Sequence, residues 1–229
     1  MKLANLLIVG LSLTVVSVSA DVFEAWDFQV INGDVQKNIA IFDSAKKIHE
    51  RLGGTVEYWQ HDVAGSNVVG YIIRFKNVSE WANFKDVMVE DTEWNQWLAN
   101  NWPRLQPHLI ASFAMGNVLD PTANINILDG QNVIYMTAWQ PRDNSNTPEL
   151  ASSIQRSVAI GRQNGLNVNV YAGGPDGVFY IFESAENFSS LVVKQNKRNA
   201  SEEWQTYWTK AQQERKGELV KQAFITRIH

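Results

Sequence analysis

The same order of predicted strands and helices occurs twice along the chain, and this repetition constrains the fold more than any other feature. In each half, an apolar strand-like segment precedes an amphipathic helix, and a hairpin, a second helix and a last strand follow. The helix that begins near Val35 ends at Gly53-Gly54, and the helix that begins at Thr147 ends at Asn164-Gly165. The sequence therefore predicts two βαββαβ units within one chain of 229 residues.

The predicted elements divide the chain into two units and a connection. In the first half, we expect strands over 22–30, 55–62, 68–76 and 108–119 and helices over 35–52 and 79–102. In the second half, we expect strands over 133–140, 166–172, 178–184 and 218–228 and helices from 147 and from about 188, with a break near 199–201. Pro103 and Pro107 are expected to end the long helix of the first half. The predicted divisions are a first unit at 21–120, a polar linker at 121–131 and a second unit at 132–229.

Short echoes in the same order favour duplication. Residues 53–59 match 165–171 at glycine, valine and aromatic positions, and the Glu-Trp pair at 93–94 recurs at 203–204. Phe75 precedes an aromatic residue by six positions, as Phe182 does. The alternative is that two βαββαβ units arose independently, because this order of elements occurs in many unrelated proteins.

The first 20 residues have the composition of a secretory signal peptide. Lys2 supplies a positive start, 6–16 is almost continuously apolar, and small residues at 18–20 precede Asp21. We therefore expect cleavage near Ala20 and export to the periplasm or beyond, with no stable membrane insertion afterwards. The alternative is an uncleaved anchor, since 3–20 approaches the length of a bilayer span. Polar residues within the stretch and the acidic residue after it favour cleavage.

Composition excludes several classes of function. The formal net charge of −4 provides no basic field for nucleic acid, so we expect no such partner. The chain has no Cys, which excludes disulfides, thiolate catalysis and metal sites built on cysteine. Histidines and carboxylates do not occur at the spacings of metal ligands, and we therefore predict no metal site. Apolar residues make up 45% of the chain, which is enough to fill a core in each unit.

With these patterns established, the chain resembles the dimeric α+β barrel superfamily, and most closely its antibiotic-biosynthesis-monooxygenase and NIPSNAP-like members. The most specific element is Glu-Trp-Gln at 203–205, echoed by Glu-Trp-Asn at 93–95. The resemblance implies an α+β fold class, with two tandem ferredoxin-like units whose sheets pack as a pseudo-dimeric α+β barrel. It selects no single activity, because the superfamily includes cofactor-free oxygenases, haem enzymes, isomerases and stress proteins.

The resemblance also bears on cofactors. Tandem haem proteins of this superfamily, related to chlorite dismutase, carry their proximal histidine in the second unit. Here the second unit has only His229, at the end of the chain. We therefore expect no haem and no other cofactor.

The candidate ligand-binding residues are histidines, aromatic residues and one amide in the first half. Of the four histidines, we expect His49 to be a boundary residue beside the apolar stripe of its helix and His229 to be terminal. The candidates are Trp26, Trp59, His61, Asn67, Tyr71, Trp97 and His108. The alternative is that Trp81, Trp94 and Trp102 fill a helix–sheet core while Trp59 packs between the repeats.

Two functions remain open at this level. The first is an exported barrel protein without assignable chemistry that binds a small apolar or aromatic ligand, with association into a homo-oligomer left open. The second is a cofactor-independent, monooxygenase-like enzyme that acts on an aromatic or quinol-like substrate. An enclosed pocket that contains His61 or His108 would favour the enzyme. The catalytic residues are not specified by the sequence.

Overall fold

The computed structural model describes residues 22–61, 67–116, 127–173 and 177–228. The predicted signal peptide and most of the predicted linker lie outside these ranges. The strands are β1 (Val22–Gln29), β2 (Thr55–His61), β3 (Val68–Phe75), β4 (Leu109–Gly116), β5 (Val133–Pro141), β6 (Asn167–Gly173), β7 (Phe179–Ala185) and β8 (Gly217–Arg227). The helices are α1 (Val35–Arg51), α2 (Val78–Glu90), α3 (Thr92–Leu105), α4 (Thr147–Gln163), α5 (Phe188–Ala200) and α6 (Glu202–Glu214).

The eight strands form one closed antiparallel barrel in the order β1-β3-β2-β8-β5-β7-β6-β4. Strands of the first half lie next to one another, and so do those of the second half. The halves meet where β2 pairs with β8 and where β4 pairs with β6. The predicted α+β class is confirmed, and because the sheet closes on itself it leaves no unpaired edge.

Alternation along each strand separates an inner from an outer face of the barrel. On β2, Val56 and Tyr58 belong to the outer core, whereas Trp59 belongs to the inner one. The inner core draws on both halves, and Phe23, Tyr171 and Phe182 form its aromatic centre with ring centroids 4.9 to 5.6 Å apart. Eight strands leave an interior that side chains can fill.

The helices cover the outer face, and two of them depart from the prediction. The single helix expected over 79–102 is divided into α2 and α3 at Asp91, whose side chain accepts a hydrogen bond from the backbone N–H of Trp94 at 2.8 Å. This is an N-cap, which starts a new helix. Pro103 does not stop α3, which ends two residues later at Leu105. The break near 199–201 is confirmed, with Ser201 as the cap of α6.

The described end of the predicted linker packs into the barrel although its neighbours in sequence are polar. Ile127 and Leu128 are buried in the inner core. The carbonyl of Ile127 accepts hydrogen bonds from Asn167 and Ser184, each at 2.8 Å. This segment therefore contributes to the core, rather than only connecting the two halves.

Candidate functional site

An apolar cavity of about 170 Å³ lies in the first half, between the outer face of β1 and β3 and the helices α1 and α3. It is lined by Trp26, Phe28, Phe42, Ala45, His49, Tyr71, Met88, Trp94, Trp97, Leu98, Trp102 and Leu105. An apolar protein cavity of about 150 Å³ is known to bind benzene. The space therefore suits a molecule with a single six-membered ring.

His49 contributes the imidazole of this lining, and it is 3% exposed. It lies on the buried stripe of α1, one turn beyond Ala45 and two turns beyond Phe42. Its Nδ1 is 2.7 Å from the hydroxyl oxygen of Tyr71 on β3. Its Nε2 is buried and has no hydrogen-bond partner among the described residues. A buried polar atom without a hydrogen-bond partner is rare in native proteins. The arrangement therefore favours a bound ligand that supplies this partner.

The His49–Tyr71 pair is electrically neutral. Burial, together with the smaller effect of the positive charge of Lys85, lowers the pKa of His49 from 6.5 to about 3. Burial raises the pKa of the Tyr71 hydroxyl above its ordinary value. At neutral pH, the imidazole is therefore unprotonated and the phenol keeps its proton.

Aromatic rings on α3 and β1 form much of the wall of the cavity. Trp94 and Trp97 are stacked, with ring centroids 5.0 Å apart and an angle of 7° between their planes. The indole N–H of Trp97 donates to the hydroxyl of Ser44 at 2.7 Å, which holds α3 against α1. Trp26 meets Tyr71 edge to face at 6.1 Å. These contacts fix the rings around the space.

The structure brings three of the seven predicted ligand-binding residues together. Trp26, Tyr71 and Trp97 line the cavity. Trp59 and His61 lie on β2 but contribute nothing to it, because they occupy the inner face of the barrel.

There, Trp59 donates to Glu57 at 3.0 Å, and the Nε2 of His61 is 3.2 Å from Asp27. Trp59 lies in the inner core with residues of both halves, in agreement with the expectation that it packs between them.

The other two predicted residues lie at the ends of elements, away from the cavity. Asn67 is exposed beside β3, and its carbonyl accepts the backbone N–H of Val30 at 2.6 Å. His108 is half-buried in the turn between α3 and β4. Neither His61 nor His108 lines the cavity, and the histidine that does is His49.

The expectation that His49 is a boundary residue is wrong. Positions 42, 45 and 49 of α1 follow helical spacing, so the same stripe that identified Phe42 and Ala45 includes His49. This spacing was the signal in the sequence. It was outweighed by the general tendency of histidines to lie near the surface.

A larger cleft of about 710 Å³ occupies the corresponding place in the second half, between α4, α6 and the outer face of β5, β7 and β8. Its walls include Trp139, Trp204 and Trp208, but its floor carries charge. Arg198 forms an ion pair with Glu183 and lies over the ring of Trp204 at 4.2 Å. The buried charges of this cleft are paired with each other, in contrast to the imidazole of the first cavity.

Equivalent helix positions explain the difference between the two spaces. The helices α1 and α4 have equal length, and His49 of α1 corresponds to Gly161 of α4. The helices α2 and α5 also have equal length, and Met88 corresponds to Arg198. The cavity of the first half therefore has an imidazole in an apolar wall, whereas the described lining of the second cleft has a guanidinium and no imidazole.

Two features are absent from the described part of the chain: a cluster of metal ligands and a membrane-spanning helix. No group of three or more potential ligands that could hold a metal ion occurs among these residues. Within the same ranges, no helix combines the length and apolarity needed to cross a bilayer.

Comparison by sequence finds no known protein family and no characterised protein that matches this chain. Comparison of folds does find similar structures. A candidate monooxygenase from Fusobacterium nucleatum superposes with a TM-score of 0.58 and 11% identity, covering 92% of this chain and 94% of its own. An anthrone oxidase-like protein gives 0.56 and 9%, with 92% and 91% covered. A haem-binding protein from Thermus thermophilus gives 0.50 and 10%, with 92% of each chain covered. These proteins therefore share the fold of this chain.

Haem fits neither space. A cavity of about 170 Å³ is close in size to one that binds benzene, and it is too small for a porphyrin. The cleft of the second half is large enough, but its lining contains no His or Met. The tyrosines there are engaged, because Tyr135 donates to Gln222 at 3.1 Å and the Tyr207 hydroxyl is 3.2 Å from that of Ser153. The described lining of this cleft therefore offers none of the usual axial ligands in a free state.

Proposed function

We propose that the protein binds a small apolar molecule with one ring in the cavity of the first half. The observation that carries this proposal is the unpartnered, buried Nε2 of His49 in an otherwise apolar lining of ring size. The aromatic wall supplies apolar contact, and the imidazole supplies a single polar contact that orients the ligand.

The protonation state of the site favours binding over acid–base catalysis. A general base works best when its pKa lies near the operating pH. The pKa of His49 is about 3, so its imidazole is a weak base at neutral pH. The raised pKa of Tyr71 likewise prevents its hydroxyl from acting as an anionic nucleophile.

A cofactor-independent oxygenase is the second candidate. The specific observation in its favour is an apolar cavity beside one polarising group, which is the environment that such chemistry requires. The names of the Fusobacterium protein and of the anthrone oxidase-like protein point the same way. Oxygen uptake with a bound phenol or quinol separates the two candidates. Oxygen uptake that disappears in His49→Gln supports the enzyme. Ligand binding without oxygen uptake supports the non-catalytic binding protein.

Toluene tests the binding proposal because it has the right size and no polar group. Isothermal titration should show one site per chain. Ala45→Leu should abolish binding, because Ala45 lines the cavity and the larger side chain fills it.

The matched control is Ser157→Leu, at the equivalent position of α4, which lines the cleft of the second half. It should leave toluene binding unchanged. Absence of toluene binding to the unmodified protein, or equal loss in both variants, would contradict the proposal.

We also propose that the halves are tandem ferredoxin-like units, at 21–120 and 132–229, that together make a pseudo-dimeric barrel. Supporting observations are the identical order of helices and strands and the equal lengths of α1 and α4. The paired caps Asn77 and Asn187, which start α2 and α5, add to them. A protease site inserted between 120 and 126 provides a test. If the halves are two units, the two fragments should stay folded and associated after cleavage. If the halves form one indivisible unit, cleavage should unfold the protein.

Export and assembly complete the proposal. We expect the mature protein to begin at Asp21 after removal of the signal peptide, and intact mass measurement of the secreted or periplasmic form tests this. A mass that includes residues 1–20 would contradict it. Association of whole barrels into a homo-oligomer remains a prediction that light scattering checks.

A further inference from the structure

The hydrogen atoms of the His49–Tyr71 pair can be assigned from the partners available. Among the described residues, the Tyr71 hydroxyl has one hydrogen-bond partner, the Nδ1 of His49. Tyr71 is 4% exposed, so a hydroxyl hydrogen without an acceptor would be costly. When the hydroxyl donates to Nδ1, that nitrogen must be unprotonated. The neutral imidazole then carries its hydrogen on Nε2.

The opposite tautomer leaves more groups unsatisfied. With the hydrogen on Nδ1, the imidazole would donate to the Tyr71 oxygen, and the hydroxyl hydrogen would lose its acceptor. The Nε2 lone pair would lack a partner as well. The tautomer with hydrogen on Nε2 leaves only that one N–H to be satisfied, and it is therefore favoured.

The other polar groups of the lining point to the same ligand chemistry. Trp97 already donates its N–H to Ser44. Trp26, Trp94 and Trp102 carry indole N–H groups, which can only donate. The one side-chain oxygen of the described lining is the Tyr71 hydroxyl, which lies at the Nδ1 edge of the imidazole and so away from a group bound at Nε2, and the thioether of Met88 is a weak acceptor. The side chains of the cavity therefore satisfy a ligand acceptor and leave a ligand donor unpaired.

We infer that the cavity selects one-ring molecules whose polar atom is a carbonyl oxygen, such as cyclic ketones and quinones, over the corresponding alcohols and phenols. The inference rests on the proposed binding function and specifies its ligand class. The Nε2–H of His49 donates to the carbonyl oxygen, and Tyr71 is the positioning residue that fixes the tautomer. An alcohol can accept the same bond, but its own hydrogen then remains buried without a partner.

Cyclohexanone and cyclohexanol test the selectivity because they match in size and differ in the hydroxyl hydrogen. One buried donor without a partner corresponds to at least about a fivefold loss of affinity. Titration calorimetry should therefore show cyclohexanone binding at least about fivefold more tightly than cyclohexanol. In His49→Phe, which removes the donor, the affinities for cyclohexanone and cyclohexanol should become equal.

Tyr71→Phe separates positioning from simple structural support. Without the phenol, either imidazole tautomer is accessible, and the preference for cyclohexanone over cyclohexanol should shrink. The ¹⁵N shifts of the His49 ring in the unmodified protein should show the hydrogen on Nε2.

Failure of toluene to bind overturns the proposed function. Toluene binding without a ketone preference, or a hydrogen on Nδ1, overturns this inference alone.

Discussion

The buried neutral state of His49 predicts that acid destabilises the fold well above the pH at which carboxylates titrate. In the unfolded chain the imidazole has its ordinary pKa of 6.5, whereas in the folded protein the pKa is about 3. The unfolded state therefore binds more protons between these values, so stability falls as pH falls. The stabilisation is complete above the unfolded pKa and is lost progressively towards the folded one.

The two pKa values give the size of the effect. Linkage predicts that the free energy of unfolding falls by about 2 kcal/mol between about pH 7.5 and about pH 5.0. Near the lower end of this range, roughly midway between the two pKa values, the loss approaches about 1.4 kcal/mol for each pH unit. A change of this size is well above the error of denaturant titration.

Urea unfolding of the parent and of His49→Gln at the two pH values provides the assay. Glutamine can accept the hydrogen bond of Tyr71 and does not titrate, so the variant should lose most of the pH dependence. His108→Gln is the control, because His108 lies in a turn outside the cavity, and it should keep the parental loss. A parent with equal stability at both pH values, or a loss that persists in His49→Gln, would refute the reasoning.

Two further predictions concern the barrel and the second half. Phe23→Ala should lower the free energy of unfolding by about 3 to 5 kcal/mol, because Phe23 contacts Tyr171 and Phe182 in the inner core; a loss below about 1 kcal/mol in urea titration would show that this core is not packed. Glu183→Gln should cost about 3 to 5 kcal/mol because it leaves Arg198 buried without its carboxylate, whereas Glu203→Gln on the exposed face of α6 should change little; equal thermal stabilities of the two variants would count against a buried ion pair.

Local patterns predicted the secondary structure well because they depend on residues close in sequence. Gly53 and Gly165 do end α1 and α4, and both have positive φ, at 102° and 88°. The break at Asp91 was missed although Asp is a preferred N-cap residue. The apolar residues on both sides of Asp91 keep a continuous helical spacing, which hides the break. In the second half, the cap Ser201 lies in a polar stretch, which makes the break predictable.

Contacts between distant residues could not be predicted in the same way. The segment 127–131 was predicted to be a linker, since Asp129 and Gly130 follow a polar stretch. In the structure, Asp129 pairs with Arg74 at 2.7 Å, and Arg227 donates to the carbonyl of Leu128 at 2.7 Å. These partners are far away in sequence and come together only when the barrel closes.

The candidate site was predictable in part. Trp26, Tyr71 and Trp97 could be proposed because each lies on a predicted helix or strand and is aromatic. Alternation along the strand also places Trp59 and His61 on the same face. Side chains from both halves fill this inner face, however, and that depends on closure of the barrel. The position of His49 could have been derived from its helix. The cavity itself could not, because empty space depends on how the rings of four elements pack.

Localisation of a bound ring tests the central claim most directly. Crystals of the protein soaked in bromobenzene allow the bromine to be located by its anomalous signal. We predict a peak in the cavity between α1 and α3, bounded by His49, Trp97 and Leu105, and no such peak in Ala45→Leu. A peak confined to the cleft of the second half, or no peak in either space, would contradict the account.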